Sequence, residues 1–233
     1  MLSVQPWRTR AAWLRTYNMS TLLALMMISV FVVPYATTSG SVTGRIARDI
    51  LLTLVLLSGV IAASDRRRAM MWLAPIVLLA IVVRWAAWLS SLAPYLMIRD
   101  GATLLALGLL GMVVGVKVFG AGAVTLDRIR GAIVLYILVG VVWADVYEFI
   151  SLQIPAAFSG IPKTAGPPDR STWLYFSFVT LTTVGYGDIV PVARAARSLA
   201  NLEALIGQLY PAIVLARLVS LQVAGGSSGK NSP

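Results

Sequence analysis

The chain has 233 residues, of which 58% are hydrophobic and 12% charged, with 19 Lys and Arg against 9 Asp and Glu and a formal net charge of +10. Soluble domains carry about 25% charged and 45–50% apolar residues, so lipid is the solvent for most of this chain. The absence of Cys and His excludes disulfides, thiol chemistry, Cys/His zinc sites, Ser-His-Asp triads and the usual near-neutral pH switch.

In chain order, the first apolar run is Thr21 to Ala36, preceded by Arg8, Arg10 and Arg15. Arg residues, an apolar stretch and the small-residue region Tyr35 to Gly40 also give it a rival reading as a signal peptide. Further runs are Ile50 to Ala63 (starting earlier, near Arg45), Ala69 to Leu92 with Arg84 inside, Ala102 to Ala121, Gly131 to Ile150, and Val192 to Val223. At about 20 residues per crossing, these predict six transmembrane helices. The short run Trp173 to Leu181 is too brief to cross and predicts a re-entrant helix between the fifth and sixth. The expected class is an all-α membrane protein. Residues 1–20 are a cytoplasmic N-terminal segment, 21–122 a four-helix scaffold, 123–223 a pore domain and 224–233 a disordered Gly/Ser-rich tail.

Basic residues orient the spans. With the N-terminus inside, eleven Lys and Arg fall on the inner faces and seven on the outer ones; the turn Asp65 to Arg68, DRRR, carries most of that bias. Both termini are then cytoplasmic, in the cell membrane. The basic charge flanks apolar runs, so nucleic-acid binding is not expected. Arg84 needs a buried partner, for which Asp49 is the candidate.

Thr183 to Asp188 reads TVGYGD. A pore that passes a hydrated cation must replace its water shell with oxygens, and rings of backbone carbonyls can do so. Pointing successive carbonyls one way demands residues that reach unusual dihedrals, which Gly185 and Gly187 supply. Thr183 adds a hydroxyl oxygen. One strand cannot encircle an ion, so four copies are required. Before it, Ser171 to Thr182 predicts a helix capped by Ser171 or Thr172 whose negative C-terminal end faces the cation. Its aromatics, Trp173 among them, would buttress the strand.

On TVGYGD with its preceding helix and flanking spans, the region Gly131 to Val223 resembles the potassium channel family. The resemblance implies a homotetramer conducting K+, with Thr183, Val184, Gly185 and Tyr186 as ion ligands and Gly187 at the outer mouth. Asp188 and Thr182 would support the filter. No cofactor is implied, K+ being the permeant ion. Val179 stands where some members have an acid that pairs with the post-filter Asp. Gly207 matches a hinge glycine in the family, or is a close-packing glycine. Pro211 favours a kink, and Gln208, Pro211 and Leu215 share a face that would line a cavity. Glu203, the acid in the middle of the last span, either attracts cations or is a protonated, hydrogen-bonded packing group. The fourth span contains Lys117 alone, not the Arg ladder of a voltage sensor. No catalytic constellation is present, so an enzyme is not expected. The rival readings are a cation channel of relaxed selectivity and a non-conducting pore-fold scaffold or regulatory subunit.

Overall fold

The computed structural model describes residues 6–36, 42–62, 67–86, 88, 93–120, 125–161 and 168–228. They form α1 (Pro6–Phe31), α2 (Val33–Ala36), α3 (Val42–Ala62), α4 (Arg67–Ala86), α5 (Ala93–Phe119), α6 (Leu126–Gln153), β1 (Phe158–Ser159), α7 (Arg170–Leu181), β2 (Val190–Pro191) and α8 (Arg194–Ser228). The all-α expectation holds apart from the two-residue strands β1 and β2, which pair antiparallel with Phe158 opposite Pro191.

Among the described residues four helices are long and apolar enough to cross a membrane: Met19–Ala36, Ile98–Phe119, Leu126–Gln153 and Arg194–Arg217. The other two long helices fall short for identifiable reasons. Arg45, Arg48 and Asp49 lie in α3, and the apolar part of α4 is Met70–Ala86. The chain is a membrane protein on this evidence.

Two boundaries differ from expectation. Helix begins at Pro6, within the segment set apart as 1–20, because nothing from there to Phe31 breaks a helix. At the other end α8 continues to Ser228, five residues into the expected tail, since propagation costs less than nucleation once a long helix is formed. Residues 229–233 of that tail, and Asp65 and Arg66 of the Asp65 to Arg68 turn, lie outside the described residues.

Helix α6 is the hub. α1, α5 and α7 all pack on it, and α8 packs on both α7 and α6. Leu22, Leu56, Leu107, Leu110 and Leu138 fill the space between the first five helices and α6. The charge inside this packing is neutralised locally. Arg84 donates from Nε to Asp49 at 2.8 Å and from a terminal nitrogen at 2.7 Å, and also reaches the Thr103 hydroxyl at 3.3 Å. Trp88 Nε1 donates to the other Asp49 oxygen at 2.9 Å. The expected pairing of Arg84 with Asp49 is therefore present, and it ties α3 to α4 and α5.

Breaking such a buried pair by removing one partner costs about 3–5 kcal/mol, because an unanswered charge is left behind. Asp49→Asn should accordingly lower the thermal midpoint in detergent markedly. Asp49→Asn combined with Arg84→Gln should recover more than half of that loss. An additive double variant would show that the two side chains are not coupled.

Candidate functional site

α7 is a twelve-residue helix whose N-cap is Asp169, which makes no side-chain cap bond. The cap expected at Ser171 or Thr172 is thus displaced outward, with Arg170 starting the helix. The helix ends at Leu181, where Thr182 N–H still bonds the Phe178 carbonyl at 3.0 Å. The next three N–H groups turn back onto the same helix end. Thr183 N–H bonds Thr180 O at 2.9 Å, while Val184 and Gly185 N–H bond Val179 O at 3.0 and 3.3 Å.

The backbone of TVGYG alternates in hand. Thr183, Gly185 and Gly187 have φ of 58°, 58° and 78°, whereas Val184 and Tyr186 keep negative φ. Alternating φ orients successive peptide groups alike, N–H to one side and C=O to the other. The left-handed values at Gly185 and Gly187 were expected. That at Thr183 was not, because a β-branched residue there is strained. Its conformation is held by its own N–H bond and by Gln208, whose Nε2 donates to Thr183 Oγ1 at 3.1 Å. Among the described residues no hydrogen bond is accepted by the carbonyls of Thr183 to Gly187, and the whole segment Thr182 to Asp188 is exposed. The result is a strand whose first three amides, Thr183 to Gly185, are bonded to α7 and whose acceptors are unspent.

Its C-terminal end is fixed by Asp188. Tyr175 OH donates to Asp188 Oδ2 at 2.7 Å, and the Tyr175 ring stacks on Tyr186 with centroids 6.4 Å apart. That hydrogen bond holds the Asp188 carboxyl below its usual range, so the group is anionic at neutral pH. The bond takes the place of a pairing with position 179, where Val179 contributes its carbonyl instead. Trp173, expected to support this strand, is buried elsewhere: its ring meets Phe158 at 5.1 Å, and Tyr175 does the bracing.

Gly160 was missed by sequence reasoning. It has φ of 81°, and a Cβ there would sit 1.7 Å from the Asp188 carbonyl oxygen. Only glycine allows the β1 loop to lie against the strand.

α8 meets this site at three successive points. Glu203 is fully buried and accepts hydrogen bonds from Tyr147 OH at 2.6 Å and from Ser177 Oγ. It joins α6, α7 and α8, the arrangement that a hydrogen-bonded packing group makes. Gly207 faces Leu181, and a Cβ on it would lie 1.7 Å from the Leu181 carbonyl oxygen. That contact is one a close-packing glycine makes, and α8 runs as one helix through Gly207 and Pro211. Gln208, Pro211 and Leu215 are all exposed, as a cavity face would be in a single chain.

The family model described as Ion channel matches residues 132–223, from α6 through α8. The chain belongs to this ion channel family. Protein LctB of Bacillus caldotenax is 31% identical over 107 residues, covering 45% of this chain and 79% of that protein. Protein LctB of Geobacillus stearothermophilus is 35% identical over 80 residues, covering 33% of this chain and 59% of that protein.

Proposed function

We propose that the chain is one subunit of a potassium-selective homotetrameric channel, conducting K+ passively across the cell membrane. Thr183, Val184, Gly185 and Tyr186 contribute the coordinating oxygens, Gly187 forms the outer mouth, and no enzymatic step or cofactor takes part. The observation that carries this reading is the alternating hand of Thr183 to Gly187, with the amide protons of Thr183, Val184 and Gly185 committed to α7 and the carbonyls uncommitted. A cation is the partner such a column of oxygens suits, and four columns around an axis would replace its hydration shell. Supporting this, Leu202, Leu205, Leu209 and Ile213 of α8 are exposed at helical spacing, a face that a neighbouring subunit would cover.

In this reading α1, α3, α4, α5, α6 and α8 are the six spans, α7 is the re-entrant pore helix, and both termini are cytoplasmic. Liposomes loaded with K+ should lose it through the reconstituted protein, and Na+ flux under the same gradient should be far smaller. Equal fluxes of the two ions would replace this reading with a channel of relaxed selectivity. Native mass measurement in mild detergent should give four chains; a monomer or dimer as the sole species would defeat it.

Voltage should gate the channel weakly. In α5 Arg99 is paired with Asp100 at 2.7 Å, and Lys117 donates to the Ala62 carbonyl at 3.2 Å. One charge crossing the whole field supplies only about 2.3 kcal/mol per 100 mV. A nearly ohmic current is expected in planar bilayers, and a steep conductance–voltage curve without blocking ions would contradict it.

A further inference from the structure

A cavity of about 110 Å³ lies where α2 and the ends of α1 and α4 meet the start of α3 and the start of α7. Arg45, Arg48, Arg84 and Arg170 line it, with Ser171 and one carboxylate, Asp169. Two of the four guanidinium charges are answered nearby. Arg84 is held by Asp49; Arg170 is held by Asp145, with Glu148 at 3.9 Å. The other two are answered more weakly. Arg48 comes no nearer to Asp49 than 3.8 Å, and its Nε is buried without a hydrogen-bond partner among the described residues. The Arg45 guanidinium lies 5.9 Å from the centroid of the Trp88 ring, a contact that uses none of its N–H groups. The start of α7 adds a partial positive charge with no side-chain cap.

Guanidinium groups crowded into one cavity repel one another, and a buried N–H without a partner is costly. Both costs are relieved by a compact anion with several acceptor oxygens, which the planar fork of Arg matches. The space equals that of roughly four waters, at about 30 Å³ each, enough for a single tetrahedral group. We propose that this cavity is a binding site for a phosphate-type oxyanion, gripped by Arg45 and Arg48 beside the first turn of α7. The phosphate can belong to a lipid headgroup or be free in solution. The proposal stands apart from the potassium reading, since it uses no residue of TVGYGD.

The test uses the full chain, purified and delipidated in detergent, in two arms. In one, inorganic phosphate is titrated at constant ionic strength against chloride, and binding is read from the thermal midpoint. In the other, retention of phosphatidylglycerol is compared with that of phosphate-free monogalactosyldiacylglycerol by native mass measurement. Saturable binding in either arm is expected, and the arm in which it occurs identifies the source. Arg48→Gln should weaken it by about ten- to hundredfold, as loss of a charge-assisted hydrogen bond entails. Arg194→Gln, an exposed arginine on α8, should leave it unchanged. If Arg48→Gln does not fold, Arg45→Gln carries the same comparison. No saturable binding in either arm, or equal weakening by Arg194→Gln, would overturn the site.

Discussion

Gly185→Ala is expected to abolish potassium flux while leaving the tetramer assembled. Gly185 sits at φ of 58°, and a Cβ built on it meets nothing within 4 Å in the single chain. The penalty is therefore conformational: a left-handed backbone at a residue with a Cβ costs roughly 1–2 kcal/mol, and four chains pay it at one axis. The strand can escape by turning Gly185 to negative φ, which rotates the adjoining carbonyl away from its neighbours. Potassium flux should then fall to background, or sodium should begin to pass. Assembly should survive, because in the proposed tetramer α6 and α8 would supply most of the surface between subunits. Thr183→Ala makes the sharper comparison. It removes one hydroxyl per chain and the acceptor of the Gln208 bond, but keeps the backbone path, so flux should fall several-fold with selectivity largely kept. Wild-type flux and selectivity in Gly185→Ala, measured in the same liposomes, would remove these residues from the ion path.

Gly207→Ala is the second large effect, and it acts by contact. The new methyl would lie 1.7 Å from the Leu181 carbonyl oxygen and 2.7 Å from its carbonyl carbon. Backbone cannot swing aside as a side chain can, so α8 must lift from α7 or the Leu181 peptide must turn. Overpacking of this kind costs about 1–3 kcal/mol. The Leu181 carbonyl also receives the Tyr136 hydroxyl at 3.4 Å and stands two residues before Thr183. The expected outcome is a lower thermal midpoint together with reduced potassium flux. A hinge glycine would behave otherwise: Gly207→Ala would keep the wild-type midpoint and change only the fraction of time the pore is open. Measuring both quantities on one preparation separates the two.

These two residues differ in how far the sequence reveals them. TVGYGD carries its own demand for unusual dihedrals, so Gly185 is legible without a structure, as are α7 by its length and α6 and α8 by their apolar runs. The pairing of Arg84 with Asp49 is legible too, because a charge inside an apolar run must be answered. What the sequence leaves open is set by contacts between distant segments. Gly207 faces the end of α7 rather than a bend, and nothing local distinguishes those uses of glycine. Glu203 finds Tyr147 on α6 and Ser177 on α7, partners 56 and 26 residues away. Thr183 takes a conformation that its own side chain disfavours, and the bonds that impose it come from α7 and α8. Gly160 reads as an ordinary loop glycine until Asp188 is placed against it. Tyr175 and Trp173 are two residues apart on one helix, and only packing decides which of them turns toward the strand.

The unspent carbonyls of Thr183 to Gly187 have a thermodynamic corollary. In the proposed tetramer four such columns would face each other across a narrow axis, with like dipoles opposed and no protein donor between them. Such a lining is unstable when empty. The permeant ion is then cargo and keystone at once: a species that binds the folded assembly and not the unfolded chain raises stability in proportion to RT ln(1 + [L]/Kd). Durability of the assembly and occupancy of the path become one quantity, so a preparation stripped of potassium should age faster than one kept in it.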